Sequence, residues 1–195
     1  MVVLPHTAFS WRVDQHIRRL GEYLSLTWLL LLVVIVINVV MRYLFSQGRI
    51  EFEEIQWHLY AAGFLFGLSY AYVSDSHIRV DVVRERLSPQ TQVWVELYGI
   101  IGLLVPFIVL VLVASIPLVV YSYQQAEVSQ APGGLGYRWL IKACLPLSFL
   151  VLLAAVLSRL SRVSCYLFGL PRCLAIAEQK LGAEDRQAAT IGKQV

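Results

Sequence analysis

Apolar residues fill four long stretches of this chain, each fenced by charge. Nineteen uncharged residues separate Glu22 from Arg42 and twenty separate Glu54 from Asp75. Thirty separate Glu96 from Glu127, and sixteen separate Lys142 from Arg159. A bilayer core about 30 Å thick needs about 20 helical residues to cross it. The pattern therefore predicts an all-α integral membrane protein with four spans, at about 24–43, 57–74, 94–122 and 139–158. The third stretch, at about 45 Å if helical, exceeds the core and must tilt or project. Pro106, Pro117 and Pro146 lie inside spans and predict kinks.

Amphipathic segments flank the spans. Phe9, Val13, Ile17, Leu20 and Leu24 recur at helical spacing, with Arg12, Arg18 and Arg19 around them. This predicts an interfacial N-terminal helix within residues 1–23, with Ser10 as its cap. Val80, Val83 and Leu87 repeat the device after the second span. Ser88-Pro89 then ends that segment and starts the next helix. Gln130 to Gly136 contains Pro-Gly-Gly and reads as a turn. The transmembrane domain is expected over 24–165. A mobile cytoplasmic tail is expected over 166–195, since seven charges fall in the last 25 residues.

Composition agrees with a membrane chain: 58% of the 195 residues are hydrophobic and 15% are charged. A soluble domain carries about 25% charged residues. Little chain lies outside the spans, so no soluble catalytic domain fits and no enzymatic activity is expected. Of the sixteen basic residues, twelve fall in the N-terminal segment, the loop after the second span and the C-terminal segment. Arg42, Arg49, Arg138 and Lys142 fall on the other side. The positive-inside rule then places both termini in the cytoplasm. The net charge of +3 is small and spread beside the spans, which does not suit a nucleic-acid partner. Three cysteines, Cys144, Cys165 and Cys173, form no CxxC pair, so neither a disulfide framework nor a zinc site is expected.

The candidate chemistry is sparse. No ionisable residue falls at a mid-membrane position, where an ion pathway would need one. Arg42, Glu96 and Lys142 sit near span ends, within reach of headgroups. Asn38 is the strongest polar residue inside a span and reads first as an interhelical hydrogen bond. His6, His16, His58 and His77 avoid mid-membrane positions. His58 and His77 are about 28 Å apart along a helix, which does not suit a haem or other cofactor. Gly63 and Gly67 form a GxxxG motif, open to packing within the bundle or to docking another helix. Glu51, Glu53 and Glu54 suit the positive end of a helix dipole, and Trp57 and Tyr60 suit an interfacial belt. The stretch Asp75-Ser76-His77-Ile78-Arg79-Val80-Asp81 is unusual, though a solvated loop accounts for its polarity.

Taken together, these segments resemble the DctQ-type small membrane subunit of tripartite ATP-independent periplasmic (TRAP) transporters. The resemblance rests on Glu53-Glu54-Ile55-Gln56-Trp57, then Gly63 and Gly67, then His77-Ile78-Arg79-Val80-Asp81. It continues in Glu127-Val128-Ser129, Pro132-Gly133-Gly134-Leu135 and Arg138-Trp139-Leu140-Ile141-Lys142. It covers about residues 10–165 and departs at Gly136, where the pattern has proline. It implies a bacterial inner-membrane subunit without a cofactor. Its implied partners are a large DctM-type membrane subunit, a periplasmic solute-binding protein and the surrounding lipids. The large subunit would carry the substrate and sodium sites for uptake of an organic acid. This chain would brace it, with Glu53, Glu54, Trp57, Gly63, Gly67, His77, Arg79, Asp81, Arg138 and Trp139 in docking or structural roles. The competing readings are a membrane anchor of an oxidoreductase and a self-sufficient small exporter. The first would show a Soret band, and the second would show flux from this chain alone.

Overall fold

The computed structural model describes residues 4–46, 48–76 and 87–169, and every regular element among them is helical. The elements are α1 (Ala8–Leu44), α2 (Ile50–Val73), α3 (Pro89–Gly99), a π-helical turn (Ile100–Leu104), α4 (Val105–Gln124) and α5 (Arg138–Phe168). Among the described residues, three stretches are long and apolar enough to cross a membrane: α1, the unit Pro89–Gln124 and α5. The second uncharged run forms α2, a helix of 24 residues. It falls short of the same apolarity because Gln56, His58 and three tyrosines interrupt its aliphatic residues.

The expected interfacial helix and the first span form one unbroken helix of 37 residues. Nothing between Ser10 and Leu24 breaks it, since Gly21 costs only about 1 kcal/mol within a helix. Thr7, rather than Ser10, is the N-cap. Its hydroxyl accepts from the Ser10 N–H, and the Ser10 hydroxyl accepts from the Thr7 N–H, a reciprocal box. The inward face also differs from the expected one. Ser10, Asp14 and Ile17 are buried, whereas Phe9 and Leu20 stay exposed. The apolar pattern missed this because a polar residue, Asp14, belongs to the buried stripe.

Close approach joins α1 to α2, which run antiparallel. The Tyr70 ring lies over Gly21 so tightly that a Cβ there would overlap it. Further along, Trp28 and Thr27 cover Gly63, and Arg42 pairs with Glu53 at 2.8 Å. Helix α5 then packs against α1, α2, α3 and α4. Its buried residues Ser148, Phe149, Leu152, Ala155, Val156 and Val163 share one helical side. Ile100, Ile108, Phe149, Leu152 and Val156 form the main core cluster. Across the seam with α2, the Ser69 hydroxyl donates to the Ser148 carbonyl at 3.5 Å.

The start of α3 fits the cap expected from sequence. The Ser88 hydroxyl accepts from the Thr91 N–H at 3.2 Å, and Pro89 takes the first helical position. Eleven residues later the helix widens into the π turn, closed by the Val105 N–H on the Ile100 carbonyl. Pro106 explains the widening. It has no N–H for the Gly102 carbonyl, and its ring crowds that carbonyl in an ordinary α turn.

Candidate functional site

Two polar clasps hold the bundle, one at each end. The hairpin end gathers the α1–α2 turn and the α4–α5 loop. Glu54, in the second turn of α2, accepts from the Ser129 hydroxyl and from the Leu135 N–H at 2.6 Å. These bonds hold its carboxyl below the usual carboxylate range. The loop can reach Glu54 because residue 134 is glycine: a Cβ there would overlap Ser129 and crowd Glu54. Gly133 supplies the left-handed turn, at φ 77°. Behind the loop, Glu127 accepts from Lys142 and from the Ser122 hydroxyl at 2.7 Å. The lysine and serine bonds hold the Glu127 carboxyl down as well.

The terminal end gathers the start of α1, the end of α2, α3 and the last turns of α5. Arg159 donates to Glu96 and lies 3.8 Å from Asp75. The Ser158 hydroxyl donates to Asp14 at 2.6 Å, and Arg162 lies 3.7 Å from the same carboxylate. Arg162 also donates to the Leu4 carbonyl at 3.2 Å. That bond accompanies a strap. Leu4, 3% exposed, packs among Val93, Leu97 and Val163, so the chain's start pins α3 to α5.

Of the residues singled out by sequence, Glu54 is the best integrated. Glu53 forms an exposed pair with Arg42, an arrangement that contributes little stability. Trp57 is 73% exposed, as an interfacial anchor requires. Arg138 opens α5, and Trp139 meets Tyr123 edge-on with ring centroids 5.4 Å apart. The two glycines of the GxxxG divide their roles: Gly63 packs on α1, and Gly67 faces open space. His77, Arg79 and Asp81 lie outside the described residues.

Three expectations need correction. Glu96 and Lys142 turn inward to Arg159 and Glu127 rather than reaching for headgroups, since a partner of opposite charge lies closer. The Asn38 side-chain oxygen is buried without a donor among the described residues, so the expected interhelical bond is not made through that atom. Cys165 is disulfide-bonded, while Cys144 is free. An odd cysteine count leaves one thiol over but does not prevent a pair. Among the described residues, no three His, Cys, Asp or Glu side chains group as a metal site would require.

Sequence reasoning missed the terminal clasp. Asp14 falls between the apolar positions of the N-terminal pattern, and Arg159 serves there only to bound the fourth uncharged run. The available signal was spacing: Ser10, Asp14, Ile17 and Gly21 follow one helical stripe, and Ser158 and Arg162 follow another.

The architecture defines an all-helical, multi-pass membrane protein whose interior ion pairs cluster at its two ends. Residues 31–165, more than two thirds of the chain, match the family model for tripartite ATP-independent periplasmic transporters, DctQ component. The chain belongs to that family and is a small permease subunit of a TRAP transporter of the inner membrane. No curated protein matches it.

Proposed function

We propose that this subunit is a static membrane brace for the large DctM-type subunit of a sodium-coupled uptake system for an organic acid. The supporting observation is where its charge goes. The Asp, Glu, Lys and Arg side chains that enter the bundle bind one another at its two ends, and residues 23–41, 55–74, 97–126 and 143–158 carry none of these four types. A pathway for ions or an anionic solute would need charged or strongly polar groups along those lengths. A brace needs stiffness, and the clasps supply it by tying all the helices at both ends. In this reading α2 crosses the membrane as a fourth span. It is tolerated there because α1 and α5 cover much of it. Both termini then lie in the cytoplasm.

The docking or structural roles of Glu53, Glu54, Trp57, Gly63, Gly67, His77, Arg79, Asp81, Arg138 and Trp139 belong to this proposal. Gly67 is the glycine left open for a neighbouring helix. The solute-binding protein and the large subunit would carry recognition of the solute. Co-purification with a tagged chain tests the brace. Stoichiometric recovery of a large polytopic subunit is expected. Recovery of a lone homo-oligomer, with the large subunit present in the same membranes, overturns it. Substrate-dependent flux in proteoliposomes holding this chain alone also overturns it.

A further inference from the structure

We propose that one ordered water completes the terminal clasp, bound between α1, α2 and α5. A cavity of about 10 Å³ lies there, bordered by Asp14, Tyr72, Ala155, Ser158, Arg159 and Arg162. That is close to the room one water needs, provided two or more polar partners surround it. Arg162 supplies the first. Its Nη2 serves the Leu4 carbonyl, its Nη1 faces Asp14, and its buried Nε–H has no acceptor among the described residues. Asp14 supplies the second. Ser158 donates to one of its oxygens, while the other lies 3.7 Å from Arg162. That separation is too long for a direct hydrogen bond, which needs about 2.7–3.2 Å. A polar contact of this length is where a bridging water belongs.

Charge selects water over an ion. A cation in the cavity would meet the guanidiniums of Arg159 and Arg162, and an anion would meet Asp14. A neutral molecule that both accepts and donates meets neither objection. It accepts from Arg162 Nε and donates to the Asp14 carboxylate. The clasp is then hydrated rather than dry, and α1 is tied to α5 through a small molecule as well as through Ser158.

A structure of the intact complex in lipid nanodiscs, at a resolution that shows buried waters, tests the assignment. One peak within about 3 Å of Arg162 Nε and of an Asp14 oxygen is expected. The assignment is overturned if that place is empty while other buried waters are visible, or if Nε bonds a carboxylate directly. It is also overturned if the density there fits an ion.

Thermal unfolding gives a second, independent measurement. Ala155→Val adds bulk at the cavity wall. Its Tm loss is expected to be at least twice as large in the natural chain as in an Arg162→Met background, where no Nε–H remains to be stranded. Equal losses in the two backgrounds would mean simple overpacking, and no water. Arg162→Lys, which keeps the charge without that N–H, replaces Arg162→Met if the methionine variant does not fold.

Discussion

At the residue scale, two glycines matter more than the GxxxG pair. Gly21 has no room for a side chain beneath Tyr70, and Gly134 has none beside Ser129. Gly21→Ala and Gly134→Ala should each cost about 1–3 kcal/mol by overpacking, measured as a lowered unfolding midpoint in detergent. Gly67→Ala meets nothing within 4 Å and should leave that midpoint unchanged. The turn at Gly133-Gly134 was legible from its composition, but the reason for Gly134 was not. That reason is a contact with residues on a different loop turn and a different helix, Ser129 and Glu54. Ser129 and Glu54 lie 75 residues apart in the chain, and a local reading of sequence does not bring them together beside Gly134.

Glu54 and Glu127 also set a pH dependence. Both carboxyls are held below their ordinary range by hydrogen bonds that favour the charged form. Their contribution is therefore full at neutral pH and is lost as acid protonates the folded state, below the ordinary carboxylate range. The contribution of these two carboxylates to stability should stay flat from pH 8 to about pH 5 and decline below that. In Glu54→Gln the decline should be shallower and the neutral midpoint lower. An unchanged profile in that variant would show that the Glu54 bonds of the hairpin-end clasp do not contribute.

At the scale of elements, apolar run length gave the helices and little of how they meet. All four uncharged runs became helical, and the Ser88-Pro89 start lies where local chemistry placed it. The continuity of α1 was not legible, because its amphipathic and apolar halves look like separate elements. Their join depends on the absence of any residue that stops a helix between them. Pro106 was legible as a disturbance but not as a π turn, whose form depends on the packing of Ile100 and Ile108 against α5. Arg159 is the element-scale counterpart of Glu54, since it binds α3 through Glu96 and lies beside Asp75 at the end of α2. Arg159→Met should cost about 3 kcal/mol, because Glu96 keeps its charge in a largely covered place. Adding Glu96→Gln should restore part of that loss, and a double-mutant cycle would measure how much. Strict additivity would show that the two side chains do not interact.

At the scale of the whole molecule, the two clasps share one design. Each places acids on early helices or loops opposite a base on α5: Lys142 at the hairpin end, Arg159 and Arg162 at the terminal end. Reporter fusions at either terminus should register as cytoplasmic. A fusion within the loop around Gly133 should register as periplasmic, where the positive-inside rule puts it. Fusions at the termini that register as periplasmic would overturn the orientation and leave the clasps intact.

The position of those bases has a consequence for how the protein is made. Synthesis runs from the N-terminus, so Asp14, Asp75, Glu96 and Glu127 all leave the ribosome before the helix that answers them. Until α5 follows, these carboxylates sit at the membrane boundary without their cations. A chain cut short before Arg138 would keep α1 to α4, yet hold four acids with their α5 partners missing. Such a fragment should be degraded faster in the membrane than the full chain, a difference a pulse-chase would measure. The last helix therefore acts as the molecule's own certificate of completion.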